Sequence, residues 1–222
     1  MTTFLLLRHA HSTANESGIL AGRLEGVALS RIGTKQAQAL NQALKDHRID
    51  RIITSPLLRC RETIQPTAKN RKRRVYCDDT FIEMDYGLWS GKKLKDLAKE
   101  KSWRTIQQSP RSFTFPEGES FLKAASRIER GLNSLAKKYP KETILIVSHG
   151  DIIKIALQLS HGGPLDNFQR FIVDTCSLSE IHWTPTERSV VRTNTRLVKP
   201  QILAKAKNAM KSRRVLGGGS GV

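Results

Sequence analysis

Two short apolar runs, each leading into a histidine, constrain this chain more than any other feature. Residues 143–147 (Thr-Ile-Leu-Ile-Val) are the strongest strand signal in the sequence and run straight into Ser148-His149-Gly150. Residues 3–7 (Thr-Phe-Leu-Leu-Leu) run likewise into Arg8-His9. A continuous apolar run of this kind reads as a strand covered on both faces, as strands are in parallel sheets.

Between the two runs the pattern alternates. Ser30 can cap a helix through Gln36, Leu40 and Leu44. Residues 51–54 form a second strand, and Ser55-Pro56 opens a helix carrying Leu57, Arg59 and Thr63. A short strand follows at residues 75–77. Further helices are predicted over 92–102, 119–138 and 151–159, the middle one from the spacing of Phe121, Ala125, Ile128, Leu132 and Leu135. A late strand is predicted over 176–183, and loops over 11–30, 81–91 and 107–118. Strands alternating with helices predict a three-layer α/β/α domain with a mostly parallel central sheet. In such sheets ligands meet the carboxyl ends of the strands, where both histidines fall.

The 222 residues fit one domain, 1–197, followed by a basic, Gly-rich tail, 198–222, with a helix predicted over 202–210. No Asp or Glu occurs from Arg188 onward. The formal net charge of +18 favours anionic partners, or reflects a host whose proteins are generally basic. Three cysteines, Cys60, Cys77 and Cys176, have neither CxxC nor metal-ligand spacing, which suits a reducing cytoplasm. The first apolar run is too short for a signal-peptide core or a membrane span. A cytoplasmic protein without membrane partners is expected.

Four segments carry candidate chemistry. They are Arg8-His9-Ala10-His11-Ser12-Thr13-Ala14-Asn15; residues 54–63 (Thr-Ser-Pro-Leu-Leu-Arg-Cys-Arg-Glu-Thr); residues 83–91 (Glu-Met-Asp-Tyr-Gly-Leu-Trp-Ser-Gly); and Ser148-His149-Gly150. In this order they resemble the histidine phosphatase (phosphoglycerate mutase-like) superfamily, over roughly residues 3–185. The resemblance implies that His9 is the residue phosphorylated, that Arg8, Arg59 and His149 bind the phosphoryl group, and that Glu83 is the general acid. It also implies further hydrogen bonds from Asn15 and the Gly150 N–H. His11 and Arg23 are candidate substrate contacts. No metal and no cofactor are expected.

The chemistry agrees with these residue types. A transferring phosphoryl group spreads charge over its oxygens, so catalysis is mostly positioning and charge stabilisation. A guanidinium holds two such oxygens in a fixed fork. A neutral imidazole is nucleophilic near neutral pH, and nearby arginines keep it neutral. A carboxylic acid can protonate the departing oxygen. Arg61 competes with Arg59, and Asp85 with Glu83; the motif register favours Arg59 and Glu83. His47, His161 and His182 read as structural or exposed, and Trp89 as packing. Ala10 stands where the family usually has Gly, so a methyl group there could crowd the backbone or forbid a positive φ.

Three functions fit. The first is hydrolysis of a small phosphorylated metabolite through a phosphohistidine. The second is a phosphomutase on the same scaffold. The chain lacks the Arg-Arg pair that phosphoglycerate mutases carry after the acidic residue, although Arg23, Lys92 and Lys93 could form another anion-binding rim. The third is a polyanion or nucleic-acid binder using residues 69–74 and the tail. Aromatics are only 6%, and none interleaves the tail, so nucleic-acid binding beyond non-specific charge is not expected.

Overall fold

The computed structural model describes residues 1–198. The chain runs β1 (Thr2–Arg8), α1 (Thr13–Ser17), α2 (Arg31–Ala43), β2 (Arg51–Thr54), α3 (Leu58–Asn70), β3 (Val75–Cys77), α4 (Leu94–Leu97) and α5 (Lys101–Gln108). It continues with α6 (Phe121–Lys138), β4 (Thr143–Ser148), α7 (Gly150–His161), β5 (Ser177–Trp183) and β6 (Arg188–Arg196). The six strands form one sheet in the order β3-β2-β4-β1-β5-β6. β3, β2, β4 and β1 are mutually parallel, and β5 runs antiparallel to both β1 and β6. The expected mostly parallel α/β/α architecture is what the chain adopts.

Alternation along the central strands builds two cores. Phe4 and Leu6 of β1 and Ile144 and Ile146 of β4 face α6 and α7, where Phe121, Ile128, Leu132, Ile152 and Ile155 close the larger cluster. Leu5, Leu7, Leu145 and Val147 face the other way, against Leu40 of α2 and Cys60 and Ile64 of α3. Both sheet faces are dry, which explains why these strands read as unbroken apolar runs.

The register sets up the site. Arg8 pairs with Ser148, and Thr54 with Val147, so β1, β2 and β4 end level with one another. The next residues, His9, Ser55 and His149, leave the same edge. The ladder runs one step further: His9 N–H donates to the Ser148 carbonyl at 2.9 Å, and Ser55 N–H to that of Val147 at 2.9 Å. This explains why α3 begins at Leu58 and not at Ser55-Pro56, since Ser55 is still bonded as a strand residue.

Three other expectations change. The single helix over 92–102 is two, α4 and α5. Leu97 and Ile106 would lie on opposite faces of one continuous helix at about 100° per residue, and the break between α4 and α5 lets both be buried, at 1% and 0% exposure. The loop over 11–30 contains the one-turn helix α1, closed by a capping box between Ser12 and Asn15. β6 is a further strand, hydrogen-bonded to β5 along the sheet edge. Its Arg188, Arg192 and Arg196 pair with Glu129, Glu180 and Asp174.

Val198, where the tail is placed, is buried against the second cluster with Leu197. The rest of that tail, including the helix predicted over 202–210, lies outside the described residues. Within the basic segment 69–74, Arg71 donates to the carbonyls of Leu44 and His47 and so closes the end of α2. No helix among the described residues is long and apolar enough to cross a membrane.

Candidate functional site

The two imidazoles meet at the ends of β1 and β4, with ring centroids 5.3 Å apart and planes inclined at 60°. His9 is 4% exposed and His149 fully buried. His9 Nδ1 lies 2.7 Å from its neighbour's carbonyl, Ala10 O. A carbonyl has no proton to give, so Nδ1 carries the hydrogen and Nε2 keeps its lone pair. Burial first, then Arg59 and Arg8, holds the His9 pKa well below its ordinary value. The ring is therefore neutral, with Nε2 available to a nucleophilic role. His149 is kept neutral by the same causes, burial first and then Arg59. Its Nε2 is 2.7 Å from Ser55 Oγ, and its Nδ1 is 4.0 Å from Glu83 Oε2.

Two buried guanidinium groups share this region. Arg8 ends β1 and donates from Nη1 to Val173 O at 2.7 Å. Arg59, in the first turn of α3, donates from Nη2 to Gly22 O at 2.7 Å. Arg59 Nη1 is buried with no hydrogen-bond partner among the described residues. A buried charged donor left this way is costly unless an anionic oxygen meets it. Arg61, by contrast, is exposed and lines a groove of about 630 Å³ between α3 and β3.

Glu83 lies on the irregular segment between β3 and α4 and is 4% exposed. Its Oε1 accepts from Met84 N–H at 3.0 Å. Burial, then the charge of Asp151, raises its pKa to about 7, against the opposing pull of Arg59 and Arg8. Asp85 is more open, at 39% side-chain exposure, and pairs with Arg23 at 3.5 Å.

The remaining expected contacts are placed less uniformly. Asn15 Oδ1 accepts from both the N–H and the hydroxyl of Ser12, so only its NH₂ is left to meet a ligand. Arg23 is committed to carboxylates: Nη2 lies 3.2 Å from Glu119 and Nη1 near Asp85, while Nε donates to the backbone carbonyl of Glu83. His11 is buried, its backbone N–H donating to Gln36 Oε1 and its Nδ1 2.8 Å from Ser30 Oγ. Gly150 is the first residue of α7, where backbone N–H groups have no partner within the helix. Trp89 is packing: it stacks on Trp103 and meets Phe113 and Phe115.

Ala10 takes a conformation outside the left-handed region, and its methyl is buried in the second cluster. Its N–H donates to Thr63 Oγ1, which in turn donates to Arg59 O. The methyl therefore fills space that the sheet and α3 provide.

Sequence reasoning does not single out Ser55 as the partner of His149. Nor does it find Cys60, whose Sγ lies 3.5 Å from His149 Nε2, or Tyr86 and Asp151, which are hydrogen-bonded at 2.8 Å. Burial pushes the Cys60 thiol up to about 12, so it stays protonated beside the ring. Among the described residues no group of three or more His, Cys, Asp or Glu side chains is placed to hold a metal ion.

The comparisons with known proteins agree with one another. The sequence pattern of the histidine phosphatase superfamily (branch 1) matches residues 4–196. "Phosphoserine phosphatase 1" of Hydrogenobacter thermophilus is 30% identical over 196 residues, which is 87% of this chain and 92% of the relative. "Probable phosphoglycerate mutase GpmB" of Erwinia tasmaniensis is 28% identical, over 82% of this chain and 85% of the relative. Among solved structures, the alpha-ribazole phosphatase of Shigella flexneri superposes with a TM-score of 0.77 at 26% identity, covering 89% of this chain and 98% of the other. YhfR of Bacillus stearothermophilus gives a TM-score of 0.81 at 24% identity, covering 88% of this chain and 98% of the other, and speaks to the fold alone. The chain belongs to the histidine phosphatase superfamily and is an enzyme of phosphoryl chemistry, a phosphatase or a mutase.

Proposed function

We propose that this chain hydrolyses a small phosphomonoester through a phosphohistidine at His9. The observation that carries the reading is the neutral His9 ring, its Nδ1–H spent on Ala10 O, within the field of two buried arginines. His9 Nε2 attacks phosphorus in line, and the P–O ester bond breaks. Arg8, Arg59, His149 and the N–H of Gly150 hold the phosphoryl oxygens, with the Asn15 NH₂ as a further donor. Glu83 gives its proton to the departing oxygen. The resulting carboxylate then takes a proton from a water whose oxygen attacks phosphorus; the P–N bond breaks, its electron pair returns to His9 Nε2, and inorganic phosphate leaves. A carboxyl group with a pKa near 7 is suited to both halves of this cycle.

Hydrolysis is favoured over mutation of phosphate position by Arg23. A mutase needs free cations to retain a second phosphate, and of the three cations of the expected rim Arg23 is already paired with Asp85 and Glu119, leaving the exposed Lys92 and Lys93. The phosphoserine phosphatase relative makes phosphoserine the first substrate to try. We place the protein in the cytoplasm on its three free cysteines, two of them buried.

The test is a panel of phosphomonoesters, phosphoserine included, assayed in chelator, with free phosphate measured separately from phosphate transferred to a second metabolite. Free phosphate released in step with the alcohol, at a rate that chelator leaves unchanged, is the expected result. Retained phosphoryl transfer makes the chain a mutase. Activity lost in chelator and restored by added metal overturns the mechanism.

A further inference from the structure

Arg8 and Arg59 create a difficulty for Glu83. The cations that hold a phosphoryl group also favour an ionised carboxylate, which has no proton to give. We infer that Asp151, together with Tyr86 and Lys154, is a buried positioning cluster that fixes Glu83 and governs when it carries its proton. The inference rests on the reading of Glu83 as general acid.

Asp151 is the second residue of α7, two positions beyond His149, and has no exposed surface. The Tyr86 hydroxyl donates to Asp151 Oδ2 at 2.8 Å. Lys154, one turn further along α7, has Nζ 3.6 Å from Asp151 Oδ1 and donates to Gln169 Oε1 at 2.9 Å. Tyr86 and Lys154 are also fully buried. Tyr86 belongs to the same irregular segment as Glu83, so its bond to Asp151 ties the acid's segment to the helix that follows His149. The segment is also held by its backbone, through Ser148 Oγ to Phe81 O, Arg127 to Thr80 O and Ile82 O, and Arg23 to Glu83 O, and by the pairing of Asp85 with Arg23.

A buried ion pair is rarely the most stable filling for such a space; apolar side chains of equal volume often serve as well. Its charge has a use here. The titratable and charged groups that act on Glu83 are Arg8 from β1, Arg59 and the protonated Cys60 from α3, the neutral His149 after β4, Tyr86 from its own segment, and Asp151 and Lys154 from α7. Asp151 is the anion in this set. It opposes the two arginines and, after burial, is the second cause that favours the proton on Glu83. Lys154 balances Asp151 and limits the effect.

The experiment follows the pH dependence of His9 phosphorylation by an alkyl phosphate, in the full-length chain. An acid is lost as pH rises through its pKa, so the wild type has an alkaline limb. Asp151→Asn keeps an acceptor for Tyr86 and removes the charge; it moves that limb to lower pH by about one unit. Lys154→Met removes the balancing cation and moves the limb to higher pH. Opposite displacements are what a merely structural cluster does not produce. Either variant decides alone if the other fails to fold. A slower reaction with the limb unmoved overturns the inference. Glu83→Gln is the control: if the limb survives that change, the general-acid reading fails, and with it the basis of the inference.

Discussion

The imidazole side and the carboxyl side of the site are buried alike, yet burial acts on them in opposite senses. Taking His9 and His149 out of water disfavours their protonated forms and lowers their pKa values, with Arg59 adding to the effect. Taking Glu83 out of water disfavours its ionised form and raises its pKa, while Arg59 and Arg8 oppose this. At neutral pH the histidines are therefore bases with a lone pair, and the glutamate, with its pKa near 7, still carries its proton in a substantial fraction of molecules. The supports differ too. The histidines are set by strand register, one residue past β1 and β4. Glu83 is set by hydrogen bonds onto an irregular segment. Strand ends fix the geometry of the histidines through backbone register, whereas the loop depends on side-chain and backbone hydrogen bonds from its neighbours to fix that of the glutamate.

Four substitutions probe this contrast. The largest effect is expected on the imidazole side. His9→Ala removes the proposed nucleophile, so turnover falls by roughly 10⁴-fold or more, and acid-labile phosphate labelling of the protein disappears. Labelling that persists in the variant reassigns the nucleophile to His149 and breaks the division between the two sides.

On the carboxyl side the loss is smaller and depends on the leaving group. Glu83→Gln slows His9 phosphorylation by an alkyl phosphate about 10²–10⁴-fold, and by an activated aryl phosphate much less, because an aryl oxide leaves without a proton. The sign with pH follows from the direction of each shift. His9 must be neutral, so its limb lies on the acid side, below its ordinary 6.5. Glu83 must be protonated, so its limb lies on the alkaline side, near 7. Single-turnover rates across this range should show the alkaline limb only with the alkyl substrate, and not in Glu83→Gln. Equal slowing of both substrates makes Glu83 a binding group. The same contrast appearing in Asp85→Asn moves the acid to that residue.

The smallest effect concerns Ala10, next to the nucleophile. Ala10→Gly restores the residue usual in the family but empties a methyl site in the second cluster and loosens the backbone. Stability in urea should drop by about 1–2 kcal/mol with little change in turnover. A marked rise in turnover would mean that the methyl crowds the phosphoryl site after all.

What could be read from the sequence follows the same division. β1 and β4 are legible because both of their faces are dry, and the histidines because each follows such a run. Ser55 becomes the partner of His149 only when β2 pairs with β4, and nothing local marks that meeting. Asn15 and Arg23 are suitable residue types, but the fold spends much of each elsewhere, on the α1 cap and on Asp85 and Glu119. β6 is hidden by its composition, since arginines at every fourth position merge with the basic residues that follow. The usable signal there is Val190, Val191, Thr193 and Thr195 beyond a Thr-Pro-Thr-Glu turn at 184–187. The break between α4 and α5 needs the tertiary fact that Leu97 and Ile106 share one core.

The strand order also bears on how the molecule can be made. β1 is made well before its neighbours β4 and β5: Thr3 sits opposite Thr143 on one side and His182 on the other. Until those segments exist, the most apolar strand of the amino-terminal half has two open edges, although α2 and α3 are available to cover one of its faces. Contacts so distant along the chain close late and slowly, and an unpaired strand is prone to aggregate meanwhile. His9 and His149 come together in that same closing step, so a nascent chain that stops short of β4 has neither a finished sheet nor a reactive centre.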